Sequence, residues 1–261
     1  MVKVIWGGTD TPKSFCLALF ILHLDILDTK RTALLPLIAK VGEGFYLAGG
    51  TALALQLGHR DSVDFDFFIE NTVDTHTLWK KVEQIFIGHT VQKTQEEKDT
   101  LSCIIDGEIR LSFFGYQYPL LEPTLIDDGL VLASILDIGC MKLSAITSRS
   151  TLKDYVDLHI ILQQTSLATL LEGCSRKYPT LDHALILKSR AKGTFRGPKQ
   201  QNQRLIERWF CDYLTPCLEN KLDVRIVCPC GLKRKVNRTV YKGLNATNVA
   251  GSLGVGETNK R

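Results

Sequence analysis

No run of apolar residues in this 261-residue chain reaches the ~18 positions that a membrane-spanning helix requires, so no membrane helix is expected. The apolar stretch from Phe15 to Leu22 is short. Lys3 and Lys13 precede it, but His23, Leu24 and Asp25 supply no small-residue cleavage site for a secretory signal. Cysteines paired as C-x2-C or C-x4-C are also missing. The last four of the eight run C-x5-C-x10-C-P-C, from Cys211 to Cys230, a poor frame for zinc. The first four (Cys16, Cys103, Cys140 and Cys174) stand singly among apolar residues, as reduced core cysteines do. There is no internal repeat. These absences predict a soluble, cytoplasmic protein with no membrane partner.

An excess of basic charge is lacking until residue 190. Residues 1–189 hold 17 Lys and Arg against 23 Asp and Glu, whereas residues 190–261 hold 15 against 5. A basic segment of that kind binds nucleic acid by releasing counterions. Here Lys192 to Gln203 is polar and aperiodic, and Asn237 to Arg261 is rich in Gly, Asn, Thr and Lys. Residues 190–261 are therefore read as a basic tail that is either disordered or the product of a frameshift.

The chemistry concentrates between Phe45 and Phe68, FYLAGGTALALQLGHRDSVDFDFF. An apolar run, Phe45–Ala48, reads as a buried strand and Thr51–Leu57 as a short helix after the Gly49-Gly50 turn. Asp64 and Asp66 fall on a strand, Val63–Ile69. Residues two apart share a strand face, which sends Val63, Phe65 and Phe67 into the core. Two carboxylates on one face repel each other unless a cation lies between them, and Mg²⁺ takes such oxygen ligands together with phosphates. Gly49 and Gly50 let the backbone approach a phosphate closely. Phosphate cradle and Asp pair together indicate nucleotide chemistry; the alternative is a solvent-facing amphipathic strand.

Gly49-Gly50-Thr51 followed by Asp64-x-Asp66 resembles the active-site signature of the DNA polymerase β-like nucleotidyltransferases. With Gly58-His59-Arg60 and Ser62 included, the string looks like the AbiEii/AbiGii toxin branch. A second block, DIGCMKLSAITSRSTLKDYVDL from Asp137 to Leu158, is similar to that branch's downstream helical motifs. The resemblance implies an α+β fold, with a mixed sheet flanked by helices over residues 25–128 and a helical region over 129–189, after an unassigned segment 1–24. It implies an enzyme that moves a nucleotidyl group from an NTP, with Mg²⁺ or Mn²⁺, to an acceptor hydroxyl on RNA, tRNA first, as a toxin held by a cognate antitoxin. Asp64 and Asp66 would hold the metal. Gly49, Gly50, Thr51, Arg60 and Lys142 would hold the nucleotide, and Asp154 would join the catalytic group, with Arg149 and Asp157 nearby.

Relatives of this kind often carry a third acid on a neighbouring strand. The candidate strand is Glu108–Phe114, and Ser112 stands where many would show Asp; Glu108 would substitute only if the strand end bends inward. That departure leaves open a slow enzyme, an unusual base or a nucleotide-binding protein without turnover. An antibiotic nucleotidyltransferase would share the core motif. A chain broken near Lys188 would aggregate.

The remaining periodicities predict helices from Asp28 or Thr29 to about Ala39, with Pro36 as a kink, and over Thr75–Phe86, Ile135–Ile146, Asp154–Leu162, Ser166–Tyr178 and Leu181–Lys188. They predict strands at His89–Thr94, Thr100–Ile105 and Glu108–Phe114, with Asp106-Gly107 as a hairpin turn, and one short strand at Val224–Val227.

Overall fold

The computed structural model describes residues 3–5, 21–149 and 151–181. The expectations for Cys16, for Leu181–Lys188 beyond its first residue, and for the tail with its strand and cysteine cluster lie outside them.

An eight-stranded mixed sheet forms the centre, in the order β1-β7-β8-β2-β3-β6-β5-β4. The strands are β1 (Lys3–Ile5), β2 (Tyr46–Ala48), β3 (Asp64–Ile69), β4 (Val91–Glu97), β5 (Thr100–Ile105), β6 (Ile109–Gly115), β7 (Thr124–Asp127) and β8 (Leu130–Leu132). The helices are α1 (Thr29–Val41), α2 (Gly49–Leu57), α3 (Thr75–Ile85), α4 (Ile135–Ser148), α5 (Leu152–Ile161) and α6 (Leu167–Lys177). Strands and helices alternate first and helices follow, the α+β order the sequence implies.

Alternation along β3 sets the two faces. Phe65 and Phe67 are buried and lie level with Leu111 and Phe113 of β6. Phe67 stacks on Phe113 at 5.2 Å and meets Gly42, just past α1, at a point where a Cβ would collide with its ring. Leu78, Val82 and Phe86 of the α3 segment are buried too. Asp64, Asp66 and Phe68 lie on the opposite face. Phe68 stacks on Phe114 at 5.1 Å and meets Tyr116, whose hydroxyl bonds Tyr178 just past α6. Val63 does not join the core: it lies just before β3, 41% exposed, and its carbonyl accepts from Arg31 Nε at 3.0 Å.

Polar residues start the helices where the sequence places them. Asp28 accepts from the Arg31 N–H at 2.8 Å, Asp74 from Thr77 at 3.1 Å, Ser134 from Asp137 at 3.0 Å and Ser166 from Thr169 at 3.0 Å. Pro36 does not end α1. Pro36 and Thr32, the residue whose carbonyl loses its partner, are both exposed, so water takes that bond while Ile38, Ala39 and Val41 bury the last turn. Asp106-Gly107 makes the expected hairpin turn, with φ of 50° and 72°. The same dipeptide at Asp128-Gly129, φ 44° and 83°, joins β7 to β8. These strands of four and three residues are too short to announce themselves by alternation. Cys103, Cys140 and Cys174 are buried free thiols, as expected. No described helix is long and apolar enough to cross a membrane.

Candidate active site

Chain connectivity brings α2 and the Asp strand together. β2 runs antiparallel to β3, so Ala48, immediately before α2, lies beside Asp66. Gly49 starts α2 with φ +74°, and a Cβ there would sit 3.2 Å from Asp66 Oδ2. The Asp66 carboxylate therefore lies against the first turn of α2. Among the described residues no side chain caps that turn, which leaves backbone N–H groups and the positive end of the helix dipole for an anion.

Asp64 and Asp66 share the partly exposed face of β3, and neither side chain has a hydrogen bond or ion pair with another described residue. Burial raises the carboxyl of Asp66 above its ordinary range. Asp64 pushes it further, against the charges of Arg149, Lys142 and Arg110. No cluster of three or more metal-ligating side chains exists among the described residues. Two carboxylates with no hydrogen-bonded or ion-paired partner among the described residues, one of them made more basic by its surroundings, fit a hard divalent cation that takes its other ligands from phosphate and water.

Around the pair lies a second, internally satisfied set of charges. Asp157, fully buried on α5, accepts from Arg60 through Nε at 2.7 Å and Nη2 at 3.0 Å, and from His59 Nε2 at 2.9 Å. It also pairs with Lys142 Nζ of α4 at 2.6 Å. Burial alone would raise its carboxyl, but His59, Arg60 and Lys142 outweigh that and hold it far below the usual range. Because Asp157 is ionised, His59 Nε2 carries the proton. Its Nδ1 is buried without a hydrogen-bond partner among the described residues. Asp154 accepts from Lys142 Nζ at 3.0 Å, Thr151 Oγ1 at 2.6 Å and Arg149 Nε at 3.2 Å. Its carboxyl is lowered too: burial is outweighed by Lys142, Thr151 and Arg149.

These contacts reassign several expected roles. Asp154 is 1% exposed and its carboxylate is occupied by cations, so it orients Lys142 and Arg149. Lys142 is buried and doubly paired, and acts on Asp66 by its charge. Thr51 does not offer its hydroxyl to a triphosphate; it is 1% exposed, and Oγ1 bonds Ser62 Oγ at 2.8 Å and the Asp64 carbonyl. It pins the loop before β3 to α2. Gly50 makes room for Arg60, whose Nη2 fills the place of the missing Cβ. Gly50→Ala is expected to drive the clamped guanidinium off Asp157 and lower stability by about 1–3 kcal/mol. In chemical denaturation, a loss of similar size in an Asp157→Asn background would refute that link.

Ser112 pairs in register with Asp66 on β6, the neighbouring-strand place of a third acid, and is buried with Ser102 Oγ 3.3 Å away. Glu108 does not bend in to replace it: it lies before β6, bound to Lys30 Nζ at 2.5 Å. No local pattern marks Arg31, the buried peg that joins Asp28, the Val63 carbonyl and the Glu108 carbonyl (2.8 Å) and so fixes the start of both site strands.

Known proteins match this chain. Among solved structures, JHP933 of Helicobacter pylori has a TM-score of 0.42 and 15% identity, covering 70% of this chain and 94% of its own. The Megavirus polyadenylate synthase has a TM-score of 0.40 and 11% identity, covering 73% and 39%. An uncharacterized protein of Aquifex aeolicus (strain VF5) is 40% identical over 151 residues, 56% of this chain and 71% of that relative. The profile of the family described as nucleotidyl transferase AbiEii toxin, type IV toxin–antitoxin system, matches residues 37–210. With the match spanning about two thirds of its length, this chain belongs to the AbiEii family of nucleotidyl transferase toxins.

Proposed function

We propose that this protein transfers a nucleotidyl group from an NTP to a hydroxyl of RNA, with tRNA the first acceptor to try, and that it acts as a toxin restrained by a cognate antitoxin. The observation that carries this reading is the Asp66 carboxylate lying against the uncapped first turn of α2, with Asp64 beside it on the same strand face. Triphosphate oxygens bind the N–H groups of that turn, including those of Gly49 and Gly50. Lys142 and Arg149, held by Asp154 and Asp157, place positive charge on the same side. Mg²⁺ or Mn²⁺ held by Asp64 and Asp66 would supply charge neutralisation at the phosphates.

The acceptor oxygen forms a bond to the α-phosphorus as the bond to the β-phosphate oxygen breaks. Pyrophosphate leaves and the hydroxyl proton passes to solvent. Ser112, in the place of a third acid, is no base at neutral pH. That favours slow turnover, and as a second reading NTP binding without transfer. The test is incubation of the purified protein with Mg²⁺, each α-labelled NTP in turn, and total tRNA. Labelled RNA is the expected result. NTP binding with no labelled RNA selects the second reading or a small-molecule acceptor.

A further inference from the structure

Three cations act on Asp66: Arg149, Lys142 and Arg110. Two are committed. Lys142 pairs with Asp154 and Asp157, and Arg149 with Asp154. Arg110 has no hydrogen bond or ion pair with any other described residue, and its side chain is exposed. It stands on β6 in parallel register with Asp64, as Ser112 does with Asp66, so all four residues share one sheet face. An unpaired guanidinium beside a carboxylate pair that needs a cation of its own is available to a further anion.

Position says which anion. The uncapped turn of α2 follows β2, on one side of β3. Arg110 lies on β6, on the other side, with adjacent strands about 5 Å apart. An in-line displacement needs the leaving pyrophosphate and the attacking hydroxyl on opposite sides of the α-phosphorus. With the triphosphate on the β2 side, the attacking strand enters on the β6 side. We infer that Arg110 anchors a phosphodiester of the acceptor strand beside its attacking hydroxyl, which makes the acceptor class an oligonucleotide rather than a small molecule. This rests on the nucleotidyl-transfer reading above. Arg110 is a positioning residue. Its planar fork grips two phosphate oxygens at once, which a lysine does as a point charge only.

The test is binding of a 5′-fluorescein 12-nucleotide single-stranded RNA with a free 3′ hydroxyl to the full chain, with Ca²⁺ and a non-hydrolysable NTP analogue. It is run on wild type, Arg110→Ala and Arg110→Lys, across a salt series. Arg110→Ala is expected to weaken RNA binding roughly tenfold and to reduce the slope of log K against log salt by about 0.7, one single-strand phosphate contact. Arg110→Lys should recover part of the affinity and all of the slope. Affinity for a fluorescent NTP analogue should stay within about twofold, which also reports a folded site.

Unchanged RNA affinity and slope overturn the inference. So does a parallel loss of NTP affinity, which would make Arg110 a triphosphate ligand, and so does absence of RNA binding by wild type. Arg110-dependent RNA binding without labelled RNA from wild type retains the anchor and overturns the transferase reading instead.

Discussion

Asp66→Asn is expected to abolish nucleotidyl transfer and, in the absence of divalent metal, to make the protein slightly more stable. Both effects have one cause. Burial and the Asp64 charge raise the folded-state pKa of Asp66. A group whose pKa is raised on folding costs stability once pH exceeds its unfolded value, and bears the whole cost above its folded value. Asn removes that cost while keeping the shape. The gain is read directly as a small rise in melting temperature. The same substitution removes one of the two negative charges proposed to hold the cation and leaves only a neutral amide oxygen in its place, and transfer should fall by about 10³-fold or more.

Thermal melts separate this from a trivial folding defect. In EDTA the variant should melt at or above wild type. With Mg²⁺ and an NTP analogue, wild type should rise by mass action while the variant gains less. A variant that melts below wild type in EDTA, or that still labels RNA at a wild-type rate, would sink the assignment.

Much of this site was readable beforehand because its residues lie close in sequence and obey local geometry. Period two along β3 puts Asp64 and Asp66 on one face, and Gly49-Gly50 announces the turn after β2. Positive charge at Arg60, Lys142 and Arg149 was visible, but its partners were not. Asp157 meets Arg60 across 97 positions of chain, and no spacing rule reports a contact made by docking α5 against the α2–β3 loop. The same limit explains Thr51 and Gly50. The motif implies a phosphate contact for each, but only tertiary contact shows that the Thr51 hydroxyl meets Ser62 and the Asp64 carbonyl, and that the bare Cα of Gly50 makes room for Arg60 while its N–H stays in the first turn of α2. The β7–β8 hairpin differs, because Asp128-Gly129 carried the same turn signal as Asp106-Gly107 and only the brevity of its strands concealed it.

Asp157→Asn should be the most damaging single exchange in stability, at about 3–5 kcal/mol, lowering the melting temperature by roughly 10 °C. The carboxylate is fully buried and holds Arg60, His59 and Lys142 at once. An amide accepts through one oxygen and carries no charge, so it leaves the Arg60 and Lys142 charges without their shared anion. Asp154→Asn should cost less, because Arg149 is 62% exposed and turns to water, while Lys142 keeps Asp157.

The pH dependence follows from the sign of the shifts. Both carboxyls are lowered on folding. Their stabilisation is therefore fully present above the unfolded carboxylate pKa of about 3.9, and is lost as pH falls from there through the folded values. Asp157→Asn has no such proton to bind, so the stability gap to wild type should be wide at pH 7 and narrow steadily below pH 4. Urea unfolding at pH 7, 4 and 3 measures it. A gap that stays constant would mean Asp157 acts through packing and neutral hydrogen bonds, and not as the anion that fixes the site's cations.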